Sequence, residues 1–196
     1  MDFELTEENR IFRDAIRDFA QKEIAPLVDE AEATHTFPKQ LFKKMGEQGF
    51  LCPRYPVELG GGGGDKITEC IMVEELTRVD VGIAAGLMVQ SGLATQPIYR
   101  HGSEEQKQKF LIPAIKGEKI GAFGLTEPDS GSDAASIRTR AVRDGDSYII
   151  NGTKIFITNS GIADIFMFLA STDPEKGSKG LTAFILDAKD NPGFKI

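Results

Sequence analysis

Residues 124–133 read GLTEPDSGSD and place three carboxylates, three hydroxyls and two glycines in ten positions. Three chemistries compete for such a stretch. A metal loop would use Glu127, Asp129 and Asp133, but their spacing departs from the DxDxDG pattern of a calcium loop and no partner histidine is at hand. An acidic turn would use Pro128, Asp129, Ser130 and Gly131, ordinary turn chemistry that leaves the density of hydroxyls unexplained. An anion cradle accounts for more. Ser130, Gly131 and Ser132 can expose successive backbone N–H groups and two hydroxyls, donors able to hold a pyrophosphate without a lysine, and Thr126 adds a further donor.

A second candidate is KIFITNS, residues 154–160. Strand alternation would put Ile155 and Ile157 on one face and Phe156 and Thr158 on the other. An aromatic beside a hydroxyl suits a flat heterocycle, the alternative being an aromatic of the plain core.

The elements that must position these residues change period half-way along the chain. Apolar residues at Ile11, Phe12, Ala15, Ile16, Phe19, Ala20, Ile24 and Leu27 recur at the three-to-four spacing of one helix face, with a break expected at Pro26. A second helix starts around Pro38 and stops at Gly46 and Gly49. Asp65 and Asp80 are N-caps for two more, Ser103 with Gln106 forms a capping box, and Gly117 closes that helix. Gly60 to Gly64 lack both the preceding strand and the following Gly-Lys-Ser/Thr of a phosphate loop, so they are expected to be a flexible connector. Residues 1–119 therefore predict an all-α helical bundle.

After Gly121 the pattern is β-rich. Asp144-Gly145 marks one turn, Asn151-Gly152 a hairpin between two strands, and ADIFMFLAS and LTAFILDA add two more. The expected class is α+β, with residues 120–196 forming an incomplete antiparallel β-barrel or β-sandwich.

Bulk properties narrow the partners. Across 196 residues the formal charge is -7 and the basic residues form no stripe, which argues against nucleic acid. No apolar run approaches the ~20 residues of a spanning helix and the N-terminus lacks a signal-peptide pattern, so the expectation is a cytoplasmic protein with no membrane partner. Cys52 and Cys70 show no metal or disulfide spacing, and His35 and His101 read as structural; no metal is expected.

GLTEPDSGSDAAS followed by NGTKIFITNS resembles the acyl-CoA dehydrogenase family, and VEELTRVD and PIYRHGSEEQKQKFL in the helical half extend the likeness over essentially the whole chain. The resemblance implies an FAD enzyme that oxidises an acyl-CoA thioester to the trans-2-enoyl-CoA. Hydride passes to flavin N5, and electrons pass on to an electron-transfer flavoprotein. Phe123 to Ser132 would wrap the FAD, with Leu125 and Thr126 at the pyrimidine edge and Gly131 and Ser132 at the pyrophosphate. Phe156 would lie against the ring, Ile157 would give backbone contacts and the Thr158 hydroxyl would stand near N5. Ser132 and Ser178 would touch the acyl-CoA.

The family's glutamate base belongs to a C-terminal helical domain outside these residues. No catalytic residue is therefore assigned in this chain, which is expected to be inactive alone, and Glu127 is read as shaping the flavin loop. Relatives are commonly tetramers, so a homo-oligomer is expected. No Lys or Arg lies between Arg78 and Arg100, where glutaryl-CoA dehydrogenases use an arginine, which implies an uncharged acyl group. The competing readings are an acyl-CoA oxidase-like flavoenzyme and a non-catalytic helical interaction module.

Overall fold

The computed structural model of the chain describes residues 4–191 and 193–196, which fall into two compact units, one ending at Ile120 and one running from Gly121 to Ile196. In the first unit, α1 (Glu7–Phe19) begins where the Thr6 hydroxyl accepts from the Asn9 amide, and its stripe buries Ile16 and Phe19. The break expected at Pro26 takes the form of a π turn (Ala20–Ile24) and a 3-10 turn (Ala25–Leu27) before α2 (Val28–Thr34) resumes. α3 (Gln40–Glu47) buries Leu41, Phe42 and Met45.

The remaining caps fall where their side chains can accept orphan amides. Asp65 and Thr68 form a capping box at α4 (Lys66–Thr77), and Asp80 accepts from the Ile83 amide at 2.6 Å to start α5 (Val81–Val89). A π turn (Gln90–Ala94) leads to α6 (Gln96–His101). The Ser103–Gln106 box opens α7 (Glu104–Gln106), and a third π turn (Lys107–Leu111) passes into α8 (Ile112–Ile115), which Gly117 ends at φ 71°.

Two polar devices tie these helices together. Arg17 of α1 donates to both oxygens of Glu75 of α4 at 2.9 and 2.8 Å, and the Glu75 side chain is 2% exposed. Gln90, fully buried at the π turn, donates to the carbonyls of Ala114 and Lys119 at 2.8 and 2.7 Å and so joins the π turn to α8 and to the residues that follow it.

The glycine run is packed, where the sequence suggested a flexible connector. The amides of Gly60 to Gly64 donate in turn to the carbonyls of Val57, Pro56, Cys52, Tyr55 and Pro53. A Cβ on Gly61 would stand 2.3 Å from the Tyr55 oxygen, so only glycine lets the loop close on itself. Those amides are spent inside the loop and offer a phosphate nothing.

The second unit is a sheet of β1 (Gly121–Gly124), β2 (Arg140–Asp144), β3 (Ser147–Asn151), β4 (Ile165–Ser171) and β5 (Leu181–Asp187). The α+β class holds, but the sheet is mixed and open rather than an antiparallel barrel or sandwich. β4 pairs with β1 in parallel, from Gly121↔Ile165 to Gly124↔Phe168, with β5 antiparallel along its whole length, and with β2 in parallel at Arg140↔Ser171. An antiparallel sheet was expected, and the neighbouring pairs β2–β3 and β4–β5 are antiparallel. The connection between β1 and β4, which contains the β2–β3 hairpin, is instead long enough for β4 to return in the same direction. The hairpin turns at Asp144-Gly145, with Gly145 at φ 59°.

The hairpin expected at Asn151-Gly152 does not form. β3 ends at Asn151 and residues 152–164 run as a loop. A Cβ on Gly152 would meet the Thr139 hydroxyl at 2.3 Å, so this glycine serves a close approach rather than a two-residue turn. Ala122, Ala141, Phe166, Phe168 and Ala170 form the core of this unit, with Ile157 packed against it. No helix among the described residues is long and apolar enough to cross a membrane.

Candidate functional site

The GLTEPDSGSD stretch leaves β1 and folds back on itself. The Glu127 amide donates to the Ser130 carbonyl at 2.8 Å and the Ser130 amide to the Glu127 carbonyl at 3.2 Å, closing a tight turn over Pro128 and Asp129. Ser130 is buried and its hydroxyl donates to the Asp133 carbonyl at 2.9 Å. Asp133 in turn caps a short 3-10 turn (Ala134–Ser136). This corrects part of the cradle: the amide and hydroxyl of Ser130 belong to the scaffold. Gly131 and Ser132 remain as its exposed donors, with open space beside Gly131 and no hydrogen bond to the Ser132 hydroxyl among the described residues.

Glu127 is the centre of the arrangement. It is 5% exposed and receives the Arg138 amide at 2.7 Å, the Thr139 amide at 3.0 Å, the Thr139 hydroxyl, and the Lys154 ammonium at 2.7 Å. Burial by itself raises its pKa, but the bonds from Lys154, Thr139 and the two amides outweigh that and bring it from 4.5 to about 2. A carboxylate so saturated is a poor proton acceptor near neutral pH; it holds structure. Because the folded pKa lies below the unfolded one, the stabilisation is complete above about pH 4.5 and is lost as the pH falls towards about 2. The stability gap between the wild type and Glu127→Gln is therefore expected to shrink across that window, as read from urea midpoints. A gap that stays constant down to about pH 2 would contradict the assignment.

Lys154 brings the second candidate segment to the first. Its ammonium also donates to the Leu125 carbonyl at 3.2 Å, and the next amide, Ile155, donates to the Thr126 carbonyl at 2.9 Å. KIFIT is not a strand, yet its exposure alternates as a strand's would: Ile155 and Ile157 are half-buried, Phe156 and Thr158 exposed. Phe156 is 90% exposed and sits at φ 57°, a left-handed conformation that a bulky aromatic rarely adopts. Asn159, at φ 68°, donates from Nδ2 to the Gly121 carbonyl at 3.1 Å.

Leu125, Thr126, Phe156, Ile157 and Thr158 are thus brought together by direct links between their segments, with Phe123 half-buried in β1 and Gly131 and Ser132 on the turn that follows. Ser178 lies elsewhere in this unit, exposed in a 3-10 turn (Pro174–Gly180). That turn borders a pocket of about 250 Å³ lined by Ala135, Ile137, Arg140, Ser171, Pro174 and Leu181 among others. Among the described residues no group of three or more His, Cys, Asp or Glu is placed to hold a metal ion.

Neither Lys154, the first residue of KIFITNS, nor Thr139 was given a role in the sequence reading. A glutamate flanked by an apolar run and a proline, and a lysine opening KIFIT, are two charges in segments expected to be part-buried; such charges need partners, and that was the available signal.

Family descriptions for the acyl-CoA dehydrogenase N-terminal domain and middle domain fit residues 6–118 and 122–196. A short-chain specific acyl-CoA dehydrogenase of Clostridium acetobutylicum is 47% identical over 196 residues, covering 100% of this chain and 52% of that protein. A chain in a structure described as the electron transferring flavoprotein of Acidaminococcus fermentans superposes with a TM-score of 0.93 at 47% identity, covering 100% of this chain and 51% of that one. A glutaryl-CoA dehydrogenase from Mycobacterium smegmatis in complex with FADH2 gives 0.89 at 37% identity, covering 97% and 48%. The chain spans about half the length of the relatives it matches. With both descriptions and a relative at that identity agreeing along its length, the chain belongs to the acyl-CoA dehydrogenase family of oxidoreductases.

Proposed function

We propose that residues 120–196 carry the flavin-binding face of an FAD-dependent acyl-CoA dehydrogenase, with residues 1–119 as its N-terminal helical domain. The observation that carries this reading is Phe156, a phenyl ring held outside the core at 90% exposure by a left-handed backbone, with Thr158 beside it and the Thr126 carbonyl bonded to the residue before it. Residues held in a strained left-handed conformation cluster at active sites and ligand clamps, and this one presents an aromatic face that a ligand can cover.

The residues fit an FAD. The exposed Gly131 amide and Ser132 hydroxyl would hold the diphosphate, Leu125 and Thr126 the pyrimidine edge, and Thr158 the ring edge beside Phe156. Phe156 would cover one side of the ring and keep water from it, with Ile157 anchored in the core behind. When bound, the flavin supplies a two-electron acceptor, which no side chain here provides. Ser132 and Ser178 would contact the acyl-CoA. The proton α to the thioester carbonyl would not go to Glu127, which is held ionised and fully bonded; the resemblance to the family gives that role to a glutamate of a C-terminal helical domain. Electrons would pass to an electron-transfer flavoprotein, the partner class suggested by the Acidaminococcus match, and the enzyme would work as a cytoplasmic homo-oligomer.

In the complete enzyme, anaerobic addition of a short saturated acyl-CoA is expected to bleach the flavin absorption, and an unchanged spectrum would contradict the dehydrogenase reading. The stretch from Val79 to Tyr99, which includes α5 and α6 up to Tyr99, holds no cation to pair with a distal carboxylate. Turnover of the uncharged substrate is therefore expected to exceed that of glutaryl-CoA by at least about tenfold in kcat/KM. A preference for glutaryl-CoA would overturn that assignment.

A further inference from the structure

A bulky residue in a left-handed conformation stays there only if its neighbours hold it. For Phe156 the holding groups can be named. On the C-terminal side Ile157 packs against the sheet core and Asn159 bonds the Gly121 carbonyl. On the N-terminal side the Ile155 amide bonds Thr126, and Lys154, whose side chain is 15% exposed, reaches both the Leu125 carbonyl and Glu127. Glu127 itself is bonded to the backbone and hydroxyl of Thr139, against which Gly152 makes its closest approach.

Lys154 makes both its side-chain bonds to the segment opposite. We infer that Lys154 and Glu127 are positioning residues: their ion pair, between side chains 15% and 5% exposed, fixes the Phe156–Thr158 segment against the Leu125–Thr126 segment and so sets the slot that a flat heterocycle enters. The identity of that heterocycle as a flavin rests on the function proposed above. A buried ion pair contributes little net stability over an apolar contact of the same shape, but it specifies one register between the segments it joins. Here that register decides where the exposed ring stands. In Lys154→Met, Glu127 keeps its three bonds from Arg138 and Thr139, so the turn survives, while Phe156 loses its side-chain tether and keeps one backbone bond on that side.

The chain contains no tryptophan, so Phe156→Trp introduces a single indole at the position in question. In that background we compare Lys154→Met, Lys154→Arg and the double variant Glu127→Gln with Lys154→Met, with far-UV circular dichroism and the thermal midpoint recorded for each. Without ligand, Lys154→Met is expected to lower the fluorescence anisotropy of the indole and raise its quenching by acrylamide, and Lys154→Arg to restore both. With FAD added, Lys154→Met is expected to weaken binding about tenfold, the equivalent of about 1.4 kcal/mol of lost contact. Unchanged anisotropy and quenching in Lys154→Met would overturn the inference. So would a loss that Lys154→Arg fails to restore. Should Lys154→Met not fold, the double variant, which leaves no unpaired buried charge, makes the same comparison. A parent protein that binds no FAD would refute the flavin reading alone, because the ligand-free indole measurements still decide whether the ion pair positions residue 156.

Discussion

Replacing Phe156 with alanine is expected to cost about 2 kcal/mol of FAD affinity, roughly thirtyfold, while leaving the fold as stable as before. The affinity term follows from covering one side of the ring, about 80 Å² at about 25 cal/mol/Å². The stability term follows from exposure: at 90% exposed the ring contributes almost nothing to the core, and its left-handed backbone is a cost to the folded state. Phe156→Gly sharpens the contrast, since glycine adopts φ 57° without penalty and is expected to raise the urea midpoint as FAD binding falls. A Phe156→Ala protein with weakened folding and unweakened FAD binding would mean that the ring supports the structure and not a ligand.

The largest stability effect is expected in the helical unit, at Phe42. Its side chain is fully buried in α3, 5.6 Å from the ring of Phe37. The Phe42 carbonyl lies 2.0 Å from where a Cβ on Gly117 would stand, so α3 is already pressed against the turn after α8. Little relaxation is available to fill a cavity there. Phe42→Ala should lose about 3–5 kcal/mol, a large share of the 5–15 kcal/mol typical of a folded domain. Urea unfolding with an unchanged m-value measures it; a loss below about 1 kcal/mol would show that the site collapses readily.

The contrast between these residues also explains how much of the molecule could be read from sequence. Caps at Asp65, Asp80 and Ser103 were legible because both partners of each bond lie within one helical turn. The π turn at Gln90–Ala94 was not. Its Gln90 side chain bonds Ala114 and Lys119, distant partners that no window of helical periodicity contains. The glycine run misled for a related reason: composition suggested freedom, whereas each amide is committed to a particular carbonyl.

In the β unit, two Asx-Gly dipeptides gave the same local signal and only one is a hairpin. Asp144-Gly145 turns between β2 and β3, while Gly152 is set by Thr139, a contact invisible from its own neighbourhood. The parallel pairing of β1 with β4 is likewise non-local. At the candidate site alternation put Phe156 and Thr158 on one face and Ile155 and Ile157 on the other, as their exposure does, but left open which of the two faces the core. What joins the two motifs was not legible, because Glu127 and Lys154 meet across intervening structure that includes a whole hairpin.

The central claim is that the two motifs form one FAD site within this chain. Its most direct test is titration of the purified 196-residue chain with FAD, following flavin fluorescence and visible absorption, with Ser132→Ala and Phe156→Ala in parallel. The expected result is saturable one-to-one binding that perturbs the flavin spectrum and weakens in both variants. A folded chain that leaves the FAD spectrum unchanged, or that binds FAD equally well in all three forms, would contradict it.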